Sequence, residues 1–419
     1  MLKTLKYNNK IVKFNNKVAK YNQPDPPELR FITEWDFLAE EITLPLVSGY
    51  SYNFTVDWGD NSSIETVTSY NDLNAIHTYN SAGTYQIKID GICEYFMIGE
   101  KPIATKLKKI LNWGDVSFTN FEASFYGCSN LTEIPNDSLP NDSNMTSFFL
   151  TFQECSSLTG LPDDLFKNNT NALSFENCFY GCTGLTTIPT DLFRYNINVT
   201  DFSSCFYDCT NLSEIPVDLF RYNTNVTTFK NCFENCDSIL SLPTDIFRYN
   251  INVTDFSSCF YGCSDLSALT SDIFQYNVNV TTFQSTFASC VSLETLPTDL
   301  FRYNTGVTNF STCFNSCWQL SSLPENLFYY NKIVSDYSSC FNYCINMTLP
   351  SVIFDLSASG ISGDTIDFTN FMNVNSTTES HTGTVQDIWN YVSTSSTKTF
   401  CFRNNTSLTN YLSIPSEWK

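Results

Sequence analysis

The sequence predicts an α/β solenoid of nine 27-residue coils, preceded by an all-β sandwich. Three observations carry this. Nine cysteines, Cys128, Cys155, Cys182, Cys209, Cys236, Cys263, Cys290, Cys317 and Cys344, fall at an unbroken interval of 27 residues. A phenylalanine stands three residues before each, from Phe125 to Phe341, and Leu, Ile or Met three residues after, from Leu131 to Met347. Ahead of them, residues 29–103 run in short alternating stretches such as 50–58 and 84–89, broken by turn residues at Gly59, Asp60, Asn61 and at Ser81, Ala82, Gly83.

At 419 residues the chain exceeds one ordinary core and divides into a head, the repeats and a tail. We expect a basic segment at 1–23, a linker at 24–28 (PDPPE), the β-sandwich at 29–103, the solenoid at 104–350 and a cap at 351–419. In residues 5–22 (LKYNNKIVKFNNKVAKYN) apolar and polar positions nearly alternate and the Asn pairs supply turn chemistry, so short strands joined by tight turns are expected. Residues 106–113 read as a connector. In the tail, 385–392 reads as a helix, and the pattern decays as a solenoid cap should.

Composition narrows function. A formal charge of -21 excludes nucleic acid, whose phosphates need Lys and Arg to displace counterions. The exception is local: Lys3, Lys6, Lys10, Lys13, Lys17 and Lys20 precede any acidic residue and form a basic patch suited to docking on an acidic surface. No stretch reaches the ~20 apolar residues of a membrane span, and residues 1–20 lack the apolar core of a signal peptide. The expectation is therefore no membrane insertion, and reduced, buried thiols for the 17 cysteines.

Within the head, Asn53, Phe54, Thr55, Val56, Asp57, Trp58, Gly59 and Asp60, then His77, Thr78, Tyr79, then Ala82, Gly83, Thr84, Tyr85, resemble the PKD-type immunoglobulin-like β-sandwich. Asn61 replaces the usual second glycine of its turn, a place that αL-tolerant Asn fills. Asp57 and Asp60 leave two readings open, calcium ligation or turn chemistry, and His77 reads as a structural hydrogen-bonding partner.

One repeat reads Asn-x-Val-Thr-x-Phe-x-x-Cys-Phe-x-x-Cys-x-x-Leu-x-x-Ile-Pro-x-Asp-Leu-Phe-x-Tyr-Asn. Val199, Phe202, Cys205, Phe206 and Cys209 lie on one face of a helix, with Asn198 placed to cap it. Residues 212–216 read as the strand of the coil. Asp218, Leu219 and Phe220 start a second helical turn that Asn223 ends as an αL residue. One coil cannot bury these side chains alone, so like must stack on like; Phe179, Phe206, Phe233, Phe260 and Cys182, Cys209, Cys236, Cys263 are the expected core. The pattern resembles the BspA-like leucine-rich repeats of bacterial surface proteins, with which the closing residues 408–419 are also similar.

Chemistry is sparse. The Cys-x-x-x-Cys pairs, such as Cys205 and Cys209, have a ligand spacing on a helix face, yet the second thiol keeps the core period and Thr286 replaces the first in one copy. Metal ligands and inter-coil disulfides remain the alternatives. There is no phosphate loop, zinc motif or nucleophile elbow, His381 stands alone in the tail, and neither an enzyme nor a cofactor is expected. Two surfaces are candidates for binding. One is the ladder of Arg194 and Tyr195, Arg221 and Tyr222, Arg248 and Tyr249, Arg302 and Tyr303, against which stands the reading that Tyr packs between coils under Arg. The other is the variable strand face with Thr187, Glu214, Ser241, Ala268 and Thr295.

The opening lysine-rich segment is similar to short leaders on structural proteins of Bacteroidota phages, including the crAss-like group. The resemblances together imply a virion-surface appendage of head- or tail-fibre type. Other virion proteins would hold it through residues 1–23, and a host surface protein or glycan would meet the solenoid. A bacterial cell-surface adhesin is the alternative and a glycan-active enzyme a lesser one. No heptad run argues for a coiled coil, and homo-oligomerisation stays open.

Overall fold

Alternating apolar positions in the head produce strands, and these place the start of the repeats. In the computed structural model the described residues are 12–14, 17–19, 28–99, 101–270, 273–345, 347–357, 365–374, 380–393 and 395–419. A short hairpin pairs β1 (Val12–Phe14) with β2 (Lys17–Ala19). The strands β3 (Phe31–Phe37), β5 (Tyr52–Asp57), β6 (Glu65–Val67), β8 (Gly83–Cys93) and β9 (Leu107–Asn112) form an antiparallel sheet in the order β6-β5-β8-β3-β9. A second antiparallel pair joins β4 (Glu41–Thr43) to β7 (Ile76–Thr78). Period-two burial aims Phe31, Trp35, Phe37, Phe54, Val56, Ile87 and Ile89 inward.

The expected connector is strand β9. On one side it pairs with β3, and on the other Lys109 bridges in parallel to Glu133 of the first repeat. The head sheet thus passes its free edge to the repeats, and one buried apolar cluster runs from Phe31 to Trp418.

The repeats stack, but not as helices. Among the described residues the only helices are short 3-10 turns, so the α half of the expected α/β class is corrected. In the repeat around Cys205, the N–H groups of Phe202, Ser204, Phe206 and Asp208 donate to the carbonyls of Thr228, Lys230, Cys232 and Glu234 in the next coil, at 3.4, 2.9, 2.9 and 2.8 Å. The intervening N–H groups of Cys205, Tyr207 and Cys209 donate back three residues, to Phe202, Ser204 and Phe206. Alternate donors therefore point along the stack, and a helix, which turns every donor onto its own chain, is excluded.

The backbone achieves this with two left-handed residues per segment, four apart: Ser204 (φ 52°) and Asp208 (φ 55°), Asn231 (55°) and Asn235 (57°), Ser258 (53°) and Gly262 (71°). Gly, Asn and Asp accept this geometry most easily. The second helical turn is likewise a run of turns, with Leu219 and Arg221 donating back to Pro216 and Asp218. The strand of the coil shrinks to single parallel bridges, Ser241 to Ala268 to Thr295 to Ser322 to Thr348, the last within β10 (Thr348–Leu349). A second bridge column runs from Ser147 through Asp201, Asp255 and Asp336 to Asp367 and Thr397. The stack thus continues into the tail, where β10 pairs in parallel with β11 (Thr382–Gly383). The expected tail helix is only the 3-10 turn Ile388–Asn390. His381, read as solitary, is fully buried against the Met347 amide.

Three aromatic columns fill the core. Phe125, Phe152, Phe179, Phe206, Phe233, Phe260, Phe287, Phe314 and Phe341 stack at 5.4–5.8 Å within 3–16° of parallel. Phe175, Phe202, Phe229 and Phe256 form a second column, tilted against a third containing Phe193, Phe220 and Phe247.

Polar ladders run beside them. Asn169, Asn196, Asn223, Asn250, Asn277, Asn304 and Asn331 are fully buried. None takes the αL role expected of Asn223. Instead Asn223 Nδ2 donates to the carbonyls of Phe193 (3.0 Å) and Asn196 (2.9 Å), as its counterparts do one coil away. Asn198 is not a cap either, since its amide donates to Thr170 O at 3.0 Å across the coils. The repeat cysteines act alike: Cys182, Cys209, Cys236 and Cys263 donate from Sγ to Phe152, Phe179, Phe206 and Phe233 carbonyls at 3.1–3.3 Å. Replacing Asn223 with Ala removes the side-chain donor from two carbonyls that keep the backbone N–H groups of Asn196 and Val199, and should lower stability by about 1–3 kcal/mol, seen as a fall in the urea midpoint. An unchanged midpoint would mean that the side-chain bonds add nothing to the backbone ones.

Candidate functional site

A site on a stack is built column by column, because each outward position recurs one coil further along. The arginine column illustrates it. Arg194 lies over its own Tyr195 (5.8 Å to the ring centroid) and over Tyr222 of the next coil (5.4 Å). Arg221 repeats this on Tyr222 and Tyr249, and Arg248 on Tyr249 and Tyr276, at 5.0–5.9 Å. Lys167 begins the ladder over Tyr195. Each arginine also meets the aspartate three residues earlier, Asp191, Asp218, Asp245 and Asp299, at 3.2–3.5 Å. The guanidinium groups are thus neutralised and sandwiched, yet 44–47% of each side chain stays exposed.

The ladder has one gap. Gln275 occupies the arginine position, so neither Tyr276 nor Tyr303 receives a cation from that coil. Arg302 then resumes over Tyr303 and Tyr330.

The strand face is exposed at Thr187, Glu214, Ser241, Ala268 and Thr295, and Ser241, Ala268 and Thr295 share one bridge column. A third exposed face was not foreseen as a surface. The Asn-x-Thr triplets place Asn198, Asn225, Asn252 and Asn279 beside Thr200, Thr227, Thr254 and Thr281, with the intervening valines buried. Each Thr hydroxyl donates to a carbonyl one coil earlier, as Thr227 does to Thr200 at 3.1 Å. The recurrence of the triplet every 27 residues was the available signal.

The remaining candidates resolve into structure. All 17 cysteines are free and buried, and burial pushes thiols such as Cys209 and Cys236 well above their ordinary range. Thr286, at the first cysteine position of its coil, donates to Phe256 O at 3.0 Å. In the head, His77 stacks on Trp58 (4.7 Å) and meets Asp60 Oδ2 at 2.9 Å. Asp57 and Asp60 accept from the N–H groups of Gly59 and Ser62 within the turn. Burial works against ionisation of Asp60, but the bonds from Ser62 and His77 outweigh it and hold the carboxyl at about 2. Burial of His381 lowers it to about 4. No group of three or more metal-ligating side chains occurs among the described residues. Lys13 and Lys17 lie on β1 and β2, while Lys3, Lys6, Lys10 and Lys20 lie outside the described residues.

Near the middle of the stack, Glu234 is half-buried; burial pushes its carboxyl up to about 7, a bond from Tyr207 opposes this and Asp208 adds to it.

The repeat region matches a known family. Its description is "Mycoplasma protein of unknown function, DUF285", and the match falls on residues 173–295 and again on 227–350. This fits the BspA-like, leucine-rich-repeat character of the coils and does not extend to the head. No curated protein matches. Among solved structures, a chain of the Toll–Spatzle complex, described as a molecular hub in Drosophila development and innate immunity, is 16% identical over 61% of this chain. The match covers 45% of that chain's length at a TM-score of 0.21.

The Glu234 carboxyl fixes a pH dependence. Its folded pKa lies above the ordinary 4.5, so between about 4.5 and about 7 the folded protein holds a proton that the unfolded chain has released. Its contribution to stability is therefore lost as pH rises through that window. Glu234→Gln should lose less stability than the native chain between about pH 5 and about pH 8, measured as the shift in thermal midpoint. Equal shifts would mean that Glu234 ionises normally.

Proposed function

We propose that the chain is a non-enzymatic display protein, a phage virion appendage of head- or tail-fibre type whose stack contacts the host surface. In this reading residues 1–23 dock on other virion proteins, the head is a PKD-type immunoglobulin-like spacer, and residues 104–350 are a leucine-rich-repeat solenoid of nine coils. The observation that carries it is the periodic outward face. Arg, Tyr, Asn and Thr recur at one position per coil over a fully packed core, which provides a rigid, repetitive surface for a host protein or glycan. Rigid columns of Arg and Tyr suit recognition because little side-chain entropy is left to lose on contact.

A bacterial cell-surface adhesin is the second reading, and the match of the repeats to a family whose description names a bacterium, Mycoplasma, favours it. Quantitative mass spectrometry of purified particles and of envelopes from uninfected cells separates the two. Stoichiometric polypeptide in particles, lost on deletion of residues 1–23, is the expected outcome. Its presence only in envelopes would overturn the virion assignment, and full incorporation of the deletion variant would overturn the docking role.

A further inference from the structure

The one gap in the arginine ladder defines a place of known shape and unfilled chemistry. Wherever the repeat supplies Arg194, Arg221 or Arg248, a guanidinium sits 5.0–5.9 Å from two tyrosine ring centroids, one in its own coil and one in the next. Gln275 puts a neutral amide at the equivalent position, between Tyr276 and Tyr303. Tyr303 is the most exposed of the ladder tyrosines, at 47% against 37–40% for Tyr195, Tyr222 and Tyr249, while Tyr276 on the other side is half-buried. Val278, two residues after Tyr276, is also exposed.

We propose that this notch between Tyr276 and Tyr303 binds an arginine or lysine side chain presented by a partner protein. The stack itself displays the complex: the same pair of rings closes around a guanidinium three times in the preceding coils. Aromatic faces attract cations through their quadrupole, Arg most often. Arg248 and Arg302 also lie over Tyr276 and Tyr303, at 5.0 and 5.8 Å, but Asp245 and Asp299 neutralise them, as their equivalents do where the ladder is complete, and the chain's net charge of -21 draws cationic groups towards it. In the neighbouring coils the chain's own arginines occupy these places, so the notch is selective by position as well as by charge.

The proposal rests on the reading of the stack as an attachment surface, and the tests separate the two. The probe is N-acetyl-arginine methylamide, with the neutral citrulline analogue as control, titrated against the full chain carrying fluorotyrosine and followed by fluorine NMR. The arginine compound should shift the Tyr276 and Tyr303 resonances and leave Tyr222 unmoved, and the citrulline compound should shift neither. Gln275→Arg installs the residue the repeat carries elsewhere, so it should fold, fill the notch from within and weaken binding by about tenfold or more. Gln275→Lys serves the same purpose if the first variant fails to fold. Equal shifts with citrulline, shifts spread over all the tyrosines, or undiminished binding by the filled variants would overturn the notch. Adsorption of the native protein to host cells tests the attachment reading independently. Adsorption without an arginine response would sink the notch alone, and an arginine response without adsorption would sink the attachment reading alone.

Discussion

The alternation of backbone donors between neighbouring coils is the constraint on which the rest of this molecule depends. Because Phe202, Ser204, Phe206 and Asp208 spend their N–H groups on the next coil, no coil holds its own shape. The strained φ values at Ser204 and Asp208 persist because they aim those donors along the stack. The same register lays phenylalanine on phenylalanine, and it brings Asn223 and Cys209 within reach of carbonyls one coil back. Disturbing the register at one coil therefore disturbs hydrogen bonds, rings and surface columns together.

The period, the core columns and the head strands were legible because burial repeats in sequence as it does in space. Phe206 and Cys209 are as buried as their spacing requires. The helix was misread for a definite reason. An i, i+3, i+6, i+7 pattern marks which side chains face inward, and a chain of turns with alternate donors satisfies it as well as a helix does. The discriminating signal lay between the apolar positions. Before Cys182, Cys209, Cys236 and Cys263 stand Gly181, Asp208, Asn235 and Gly262, residue types that tolerate left-handed backbone and are poor in helix interiors, while Glu154, Ser289, Ser316 and Tyr343 hold the position in other coils. Asn223 shows the converse error: asparagine at the end of a segment suggests a left-handed stop, and only stacking reveals a buried donor. The role of β9 was invisible because its pairing partners, β3 and Glu133, lie far from it in sequence.

On the surface, residue type was legible but pairing was not. Arg194 and Tyr195 adjoin in the chain, yet the ring of Tyr222, one coil away, lies closer to the guanidinium. The ladder is neutralised by Asp191 and its equivalents, so what it presents to solvent is shape and aromatic character more than net charge. The departure at Gln275 acquires meaning only against this regular background.

Far-UV circular dichroism of the full chain tests the central claim most directly. A stack held by alternating inter-coil hydrogen bonds predicts a spectrum of sheet and turn without the paired minima of α-helix. A strong α-helical spectrum would show that each repeat turns its donors inward, and the account of the stack would fail with it.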